Sequence, residues 1–245
     1  MFESLGQNLR VAVVGASGGI GAALVEQLIT SDQVAQVHAL SRQIKPHPSS
    51  KVSNLAFDFT DEDSLEASAQ VLAEAGPLDI VILATGLLQG NGIAPEKNLR
   101  ALSFEGFEKS FMTNAIGPAM TARYFLPLMR RDGKAVFAAL SARVGSISDN
   151  HIGGWYAYRS AKAALNMILK TLSIEMGRRF KNLIIIGLHP GTVDTKFSKP
   201  FQGNVPDGKL FTPEYSAKKL LSVIDQVTPD NSGDLLDWAG KIVTP

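Results

Sequence analysis

The chain has 245 residues, 45% of them hydrophobic and 19% charged, with a formal net charge of +1 at pH 7 and no cysteine. That size suits one large α/β domain rather than two, with enough apolar residues for a sizeable core. The near-neutral charge gives no reason to expect nucleic acid or an anionic membrane as a partner, and the missing cysteine excludes disulfides, thiolate catalysis and cysteine-ligated metal.

The four histidines, His38, His47, His151 and His189, are too scattered to suggest a metal set. No apolar run approaches the ~20 residues of a membrane span. Residues 1–9 lack the basic head and long apolar segment of a signal peptide, so a soluble, cytoplasmic protein is expected.

In chain order, the apolar run 9–14 stops at Gly15-Ala16-Ser17-Gly18-Gly19-Ile20-Gly21, and a helix-like segment follows over 22–30 with Leu24, Val25, Leu28 and Ile29 on one side. A glycine turn can be a tight connection. Between a strand and a helix it also suits a phosphate site, because glycines let the backbone approach a pyrophosphate and the first helical amides point at it. The spacing is Gly-x-x-x-Gly-x-Gly, not the Gly-x-Gly-x-x-Gly of most dinucleotide folds. A second strand over 34–40 ends at Ser41-Arg42. In a doubly wound sheet this end lies beside the adenosine ribose, where an acid would bind the 2′-hydroxyl and an arginine suits a 2′-phosphate. The acid is absent and Arg42 is present; the alternative is a solvated loop arginine.

Residues 45–50 form a loop with two prolines, and Lys45 adjoins the ribose end. A third strand over 52–57 leads into Asp58-Phe59-Thr60-Asp61, where Thr60 or Asp61 can cap a helix through Leu65 and Leu72. Residues 78–84 make a strongly apolar fourth strand, closing on Ala84-Thr85-Gly86. Apolar runs without alternation are what a parallel sheet buried on both faces requires. After a loop over 87–102, residues 104–129 read as one long helix with Ser103 as its cap. Gly117-Pro118 interrupts its backbone bonding, and Asn114 stands ready to bond the freed carbonyls.

A fifth strand over 134–140 ends at Ser141, and an uninterrupted helix pattern spans 155–176. Tyr158 and Lys162 stand at i and i+4 and share a face of that helix. A tyrosine near pH ~10 exchanges protons poorly at neutral pH, and an ammonium beside it is expected to lower that value and make the phenol a general acid or base. The sixth strand, over 183–188, opens into His189-Pro190-Gly191-Thr192-Val193-Asp194-Thr195. Residues 196–212 mix Gly and Pro with Phe201, Val205, Leu210 and Phe211, a flexible loop suited to be a substrate lid. A last helix over 214–227 and a short strand over 234–238 close the chain.

The alternation of strands and helices makes this one α/β Rossmann domain over 1–245, a doubly wound parallel sheet of about seven strands. The assembled motifs resemble the short-chain dehydrogenase/reductase family along nearly the whole chain, and within it the small C-factor and carbonyl-reductase-like members. Gly15, Gly19 and Gly21, with Ser17 and Ile20 in the same turn, match the family's cofactor motif. Asn114, Ser141, Tyr158 and Lys162 match its catalytic tetrad in order. Pro190, Gly191, Val193 and Thr195 match the segment at the nicotinamide end. Asp58, followed by Phe59, matches the acid beside the adenine ring. Two departures stand out. Leu83-Ala84-Thr85-Gly86 replaces the family's Asn-Asn-Ala-Gly, so the strand brace those asparagines supply must come from elsewhere. The interval from Ser141 to Tyr158 is also a few residues long, with the surplus in 146–154.

The resemblance implies hydride transfer between a nicotinamide and a carbonyl or alcohol carbon, NADP(H) being preferred over NAD(H) on the strength of Ser41 and Arg42. Tyr158 would pass the proton, Ser141 hold the substrate oxygen, Lys162 tune Tyr158 and bind the ribose, and Asn114 hold a water that resupplies Lys162. No metal is implied. In the family the helices 104–130 and 155–177 pair with their copies, so a homodimer or homotetramer is expected, with Phe111, Met112, Ala115, Met120 and Tyr124 as candidate apolar contacts. Two other functions fit parts of the pattern: a dinucleotide-binding signalling or sensor protein in which turnover is secondary, and an epimerase or dehydratase acting on a nucleotide sugar. The complete tetrad argues against the first and the short C-terminal region against the second.

Overall fold

A computed structural model describes residues 2–90 and 92–245, leaving Met1 and, in the 87–102 loop, Asn91 outside the described residues. Seven strands form one parallel sheet: β1 (Leu9–Val14), β2 (Val34–Ser41), β3 (Val52–Ala56), β4 (Ile80–Leu83), β5 (Ala135–Leu140), β6 (Leu183–His189) and β9 (Leu235–Asp237). Their order across the sheet is β3-β2-β1-β4-β5-β6-β9. The chain winds outward in both directions from β1 and β4, and the crevice at their carboxyl ends is where such sheets bind ligands.

Alternate residues of each strand serve opposite cores. Val11, Val13, Ile80, Ile82, Val136 and Ala138 face the layer of α1 (Gly19–Ile29) and α6 (Pro213–Gln226). Ala12, Val14, Val81, Leu83, Phe137 and Ala139 face α2 (Glu62–Ala75), α4 (Gly117–Phe125) and α5 (Tyr156–Gly177). Both faces are therefore dry, which is why these strands read as unbroken apolar runs. Of the two candidate caps for α2, Asp61 is the one used, accepting from the Asp63 N–H.

Two expectations are corrected. The stretch read as one helix is four pieces: α3 (Phe104–Phe111), a π-helical turn (Met112–Ile116), α4 and a 3₁₀ turn (Leu126–Leu128). Proline 118 has no N–H to give, and the ladder shifts so that the Gly117 N–H reaches back five residues to the Met112 carbonyl. The segment 196–212 is not a bare loop. It contains a 3₁₀ turn (Lys199–Asn204) and ends in β8 (Leu210–Phe211), which pairs in parallel with β7 (Thr192–Val193). That ribbon joins residues with no local pattern in common, so periodicity could not reveal it.

Candidate active site

The glycine turn lies at the carboxyl end of β1. Gly15 adopts φ +85°, and a Cβ there would stand 2.8 Å from the Ala84 carbonyl oxygen; one on Gly21 would stand 2.1 Å from the Gly15 carbonyl. The turn is tight because Gly15 passes against the chain leaving β4 while the first turn of α1 starts back over Gly15. Side chains cap α2, α3 and α6 through Asp61, Ser103 and Thr212, whereas α1 begins at Gly18 with no side-chain cap and no acid in its first turn. Among the described residues no side chain caps its first amides, a start that fits an anionic phosphate. Thr195 closes the turn from the other side: its Cγ2 lies 2.5 Å from where a Cβ on Gly19 would be.

At the ribose end, a cleft of about 190 Å³ is bordered by Ser17, Ser41, Lys45, His47 and Asn54. Ser41 is buried and donates its hydroxyl to the Gln43 carbonyl at 2.6 Å, while His47 pairs with Glu26 at 2.9 Å. Arg42 is exposed and does not line this cleft. Lys45 does, despite its flanking proline. At the adenine end Asp58 is half-buried, and its Oδ1 accepts from the Thr60 N–H and hydroxyl at 2.9 and 2.7 Å, shaping its own turn. Phe59 packs on Gly117, where a Cβ would meet its ring at 2.2 Å, so the Phe59 side chain belongs to the core.

The brace lost with the asparagines after β4 is replaced in two ways. The Ala84 N–H donates to the Val14 carbonyl at 2.7 Å, and the Gly15 N–H to the Leu40 carbonyl at 2.8 Å, tying β4, β1 and β2 together beyond the sheet. Asn114, buried in the π turn, then holds the chain after Gly86. Its Oδ1 accepts from the Leu87 N–H at 3.0 Å and its Nδ2 donates to the Leu87 and Ser110 carbonyls at 2.8 and 3.0 Å. The Ser110 bond reaches back one helical turn. Both Nδ2 protons are committed, and Oδ1 holds the Leu87 N–H with one of its two lone pairs.

Tyr158, Lys162 and Asn166 lie at i, i+4 and i+8 of α5, over the end of β5. Lys162 is 2% exposed and donates to the Leu140 carbonyl at 2.8 Å. Its Nζ is 5.8 Å from the centre of the Tyr158 ring. Ser141, next after Leu140, donates to Asn166 Oδ1 at 2.7 Å. The expected lowering of the Tyr158 pKa by Lys162 is not what the structure gives. Tyr158 is 8% exposed, and burial raises its phenol well above the ordinary 10; the same burial pulls the Lys162 ammonium down to about 7. Withdrawal from water disfavours both charged forms, and neither group gains enough from the other to offset it.

Aromatic rings wall this face. Trp155 meets Phe201 edge-on with centroids 4.9 Å apart and Tyr158 at 6.4 Å, and Phe197 lies 6.1 Å from Tyr158. At the end of β6, Gly191 adopts φ +78° against Phe211 and Trp238, the Pro190 carbonyl accepts from Ser216, and Val193 is buried in the β7–β8 ribbon. The structure thus gathers Ser141, Tyr158, Lys162 and the glycine turn at one end of the sheet and leaves Arg42 outside. Sequence reasoning assigned no part to Asn166, His47 or Trp155. Asn166 carried a usable signal, since it repeats the four-residue step from Tyr158 to Lys162. Among the described residues, no group of three or more His, Asp or Glu could hold a metal ion, and no helix is long and apolar enough to cross a membrane.

Known proteins resemble this chain in fold and in sequence. The NADPH-bound carbonyl reductase from chicken fatty liver superposes with a TM-score of 0.85 at 26% identity, covering 100% of this chain and 96% of that one. The 1-hydroxy-2-glutathionyl-2-methyl-3-butene dehydrogenase of Rhodococcus sp. is 30% identical over 91% of this chain and 93% of its own length. The C-signal of Myxococcus xanthus is 33% identical over 69% of this chain and 93% of its own length. Residues 10–205 match the family profile described as short chain dehydrogenase. With its sheet order, uncapped glycine turn and buried tyrosine–lysine pair, the chain belongs to the short-chain dehydrogenase family, as an oxidoreductase built around a nicotinamide dinucleotide.

Proposed function

We propose that the protein is an NADPH-preferring reductase of small carbonyl compounds with an apolar or aromatic body, working as a homodimer or homotetramer. The observation that carries this reading is the burial of Tyr158 and Lys162 together beneath Trp155, Phe197 and Phe201. When bound, the nicotinamide supplies the hydride. Tyr158 keeps its proton at neutral pH and so acts as the acid toward a forming alkoxide. Lys162, near 7, exchanges protons readily at that pH and can reload Tyr158. An Asn114 carbonyl oxygen takes the water on the path to solvent. Ser141 gives its hydroxyl proton to Asn166 and offers lone pairs to the site; turning that proton toward a substrate oxygen breaks the Asn166 bond. Support for NADPH comes from the missing carboxylate at Ser41, from Lys45 in the ribose cleft and from the NADPH-bound relative.

The test is a screen of ketones, aldehydes and quinones that follows NADPH absorbance. At least one apolar carbonyl is expected to turn over, and Tyr158→Phe is expected to lose ~10²–10⁴ in rate with little change in NADPH affinity. Full activity of Tyr158→Phe on every substrate sinks the mechanism. The likeness to the C-signal favours a second reading, a dinucleotide-binding signalling protein; NADPH binding with no turnover across the screen would select it.

A further inference from the structure

Glu96 sits in the 87–102 segment and has no part in the chemistry above, yet it is 6% exposed. Helix α5 starts at Trp155 in the left-handed region, φ 53°, with no side-chain cap and no acid in its first turn. Trp155 cannot cap the helix because its side chain is an indole, and that ring is engaged with Phe201 and Tyr158. The helix start is satisfied from across the molecule instead. The Trp155 N–H donates to the Glu96 carbonyl at 2.6 Å, and the Ala157 N–H donates to Glu96 Oε2 at 3.3 Å. The other carboxylate oxygen, Oε1, lies 3.5 Å from where a Cβ on Gly106 would stand, in the first turn of α3. One buried side chain is thus wedged between the helix that leads to Asn114 and the helix that carries Tyr158.

We propose that Glu96 is a positioning residue for Tyr158, an inference that rests on the carbonyl-reductase reading. Tyr158 is the third residue of α5, within the turn whose N–H groups have no intrahelical partner and which frays first. A carboxylate there bonds a free amide and meets the positive end of the helix dipole. It holds the residue before Tyr158, so it sets where the phenol points, and a misplacement of about 1 Å can cost ~10² in rate. The same residue fastens the substrate-side loop to the catalytic helix.

Three variants separate geometry from charge and from folding. Glu96→Gln keeps an acceptor oxygen at the same reach, Glu96→Asp keeps the charge but withdraws it by one methylene, and Glu96→Ala removes both. In steady-state assays with NADPH, Asp and Ala are expected to lower kcat at least about tenfold with KM and NADPH Kd within about twofold, and Gln to stay within about threefold of wild type. Hydrogen exchange of the peptide covering 155–160, measured without cofactor or substrate, is expected to quicken at least about tenfold in Asp and Ala but not in Gln. Unchanged exchange in Asp overturns the brace even if no carbonyl is ever reduced. Faster exchange with unchanged kcat overturns the positioning role, as does a loss that falls equally on kcat and NADPH affinity. If the wild type itself reduces nothing, the proposed function fails, and the exchange data still decide whether Glu96 holds the helix.

Discussion

The side chains of this site owe their properties to what covers them. Lys162 and Tyr158 are four residues apart in one helix, yet burial sets the direction in which each is shifted. At the ribose end two cations stand near the cleft. Lys45 borders it, and Arg42 stands beside it in solvent. A partly exposed charge-assisted contact to a phosphate contributes on the order of 1.5–3 kcal/mol, or roughly ten- to a hundred-fold in affinity. Calorimetry is expected to find NADPH bound at least about tenfold tighter than NADH. Arg42→Ala and Lys45→Ala should each remove part of the gap and the double variant most of it. Equal affinities in the wild type would leave both as solvated loop residues.

Elements here are joined by a few side chains that bond to foreign backbone. Asn114 is the clearest: from the π turn it grips both polar groups of Leu87, so a helix holds the chain beyond Gly86 while β1 holds Ala84. Asn114→Ala leaves the Leu87 N–H and carbonyl unpaired in a half-buried place. The expected cost is about 1–3 kcal/mol of stability, read by denaturant unfolding. Because Gly86 lies on the same turn, NADPH Kd should also rise. A variant as stable as wild type would mean that water replaces both bonds without loss.

For the whole molecule, the open question of assembly turns on which apolar residues the monomer uses for itself. Ala115 is buried, Met120 and Tyr124 pack on the α2-side core, and Tyr124 also bonds Glu62 at 2.8 Å, so these three are spent within one chain. Met112 and Ile116 in the π turn and Met167 and Ile174 on α5 remain exposed, the last two at 66% and 53%. These are the residues that a pairing of like helices would cover. Light scattering at micromolar concentration is expected to give a dimer or tetramer mass, and Met167→Glu with Ile174→Glu to shift it toward the monomer. A monomeric wild type would count against the assembly.

The sequence by itself determined the sheet, the glycine turn, the cap at Ser103 and the tyrosine–lysine spacing. Each is a local pattern: runs of apolar residues buried on two faces, a string of glycines, a hydroxyl before a helix, two residues one turn apart. Only the tertiary structure decided what those groups do. It put a π turn at 112–116 into the 104–129 helix and turned Asn114 toward Leu87. It tied 192–193 to 210–211, brought Lys45 rather than Arg42 into the ribose cleft, and set Glu96 beneath α5. It also reversed the expected direction of the Tyr158 shift. Those outcomes depend on which distant segments arrive at the same place and on how much water they exclude, and neither is written in the spacing of neighbouring residues.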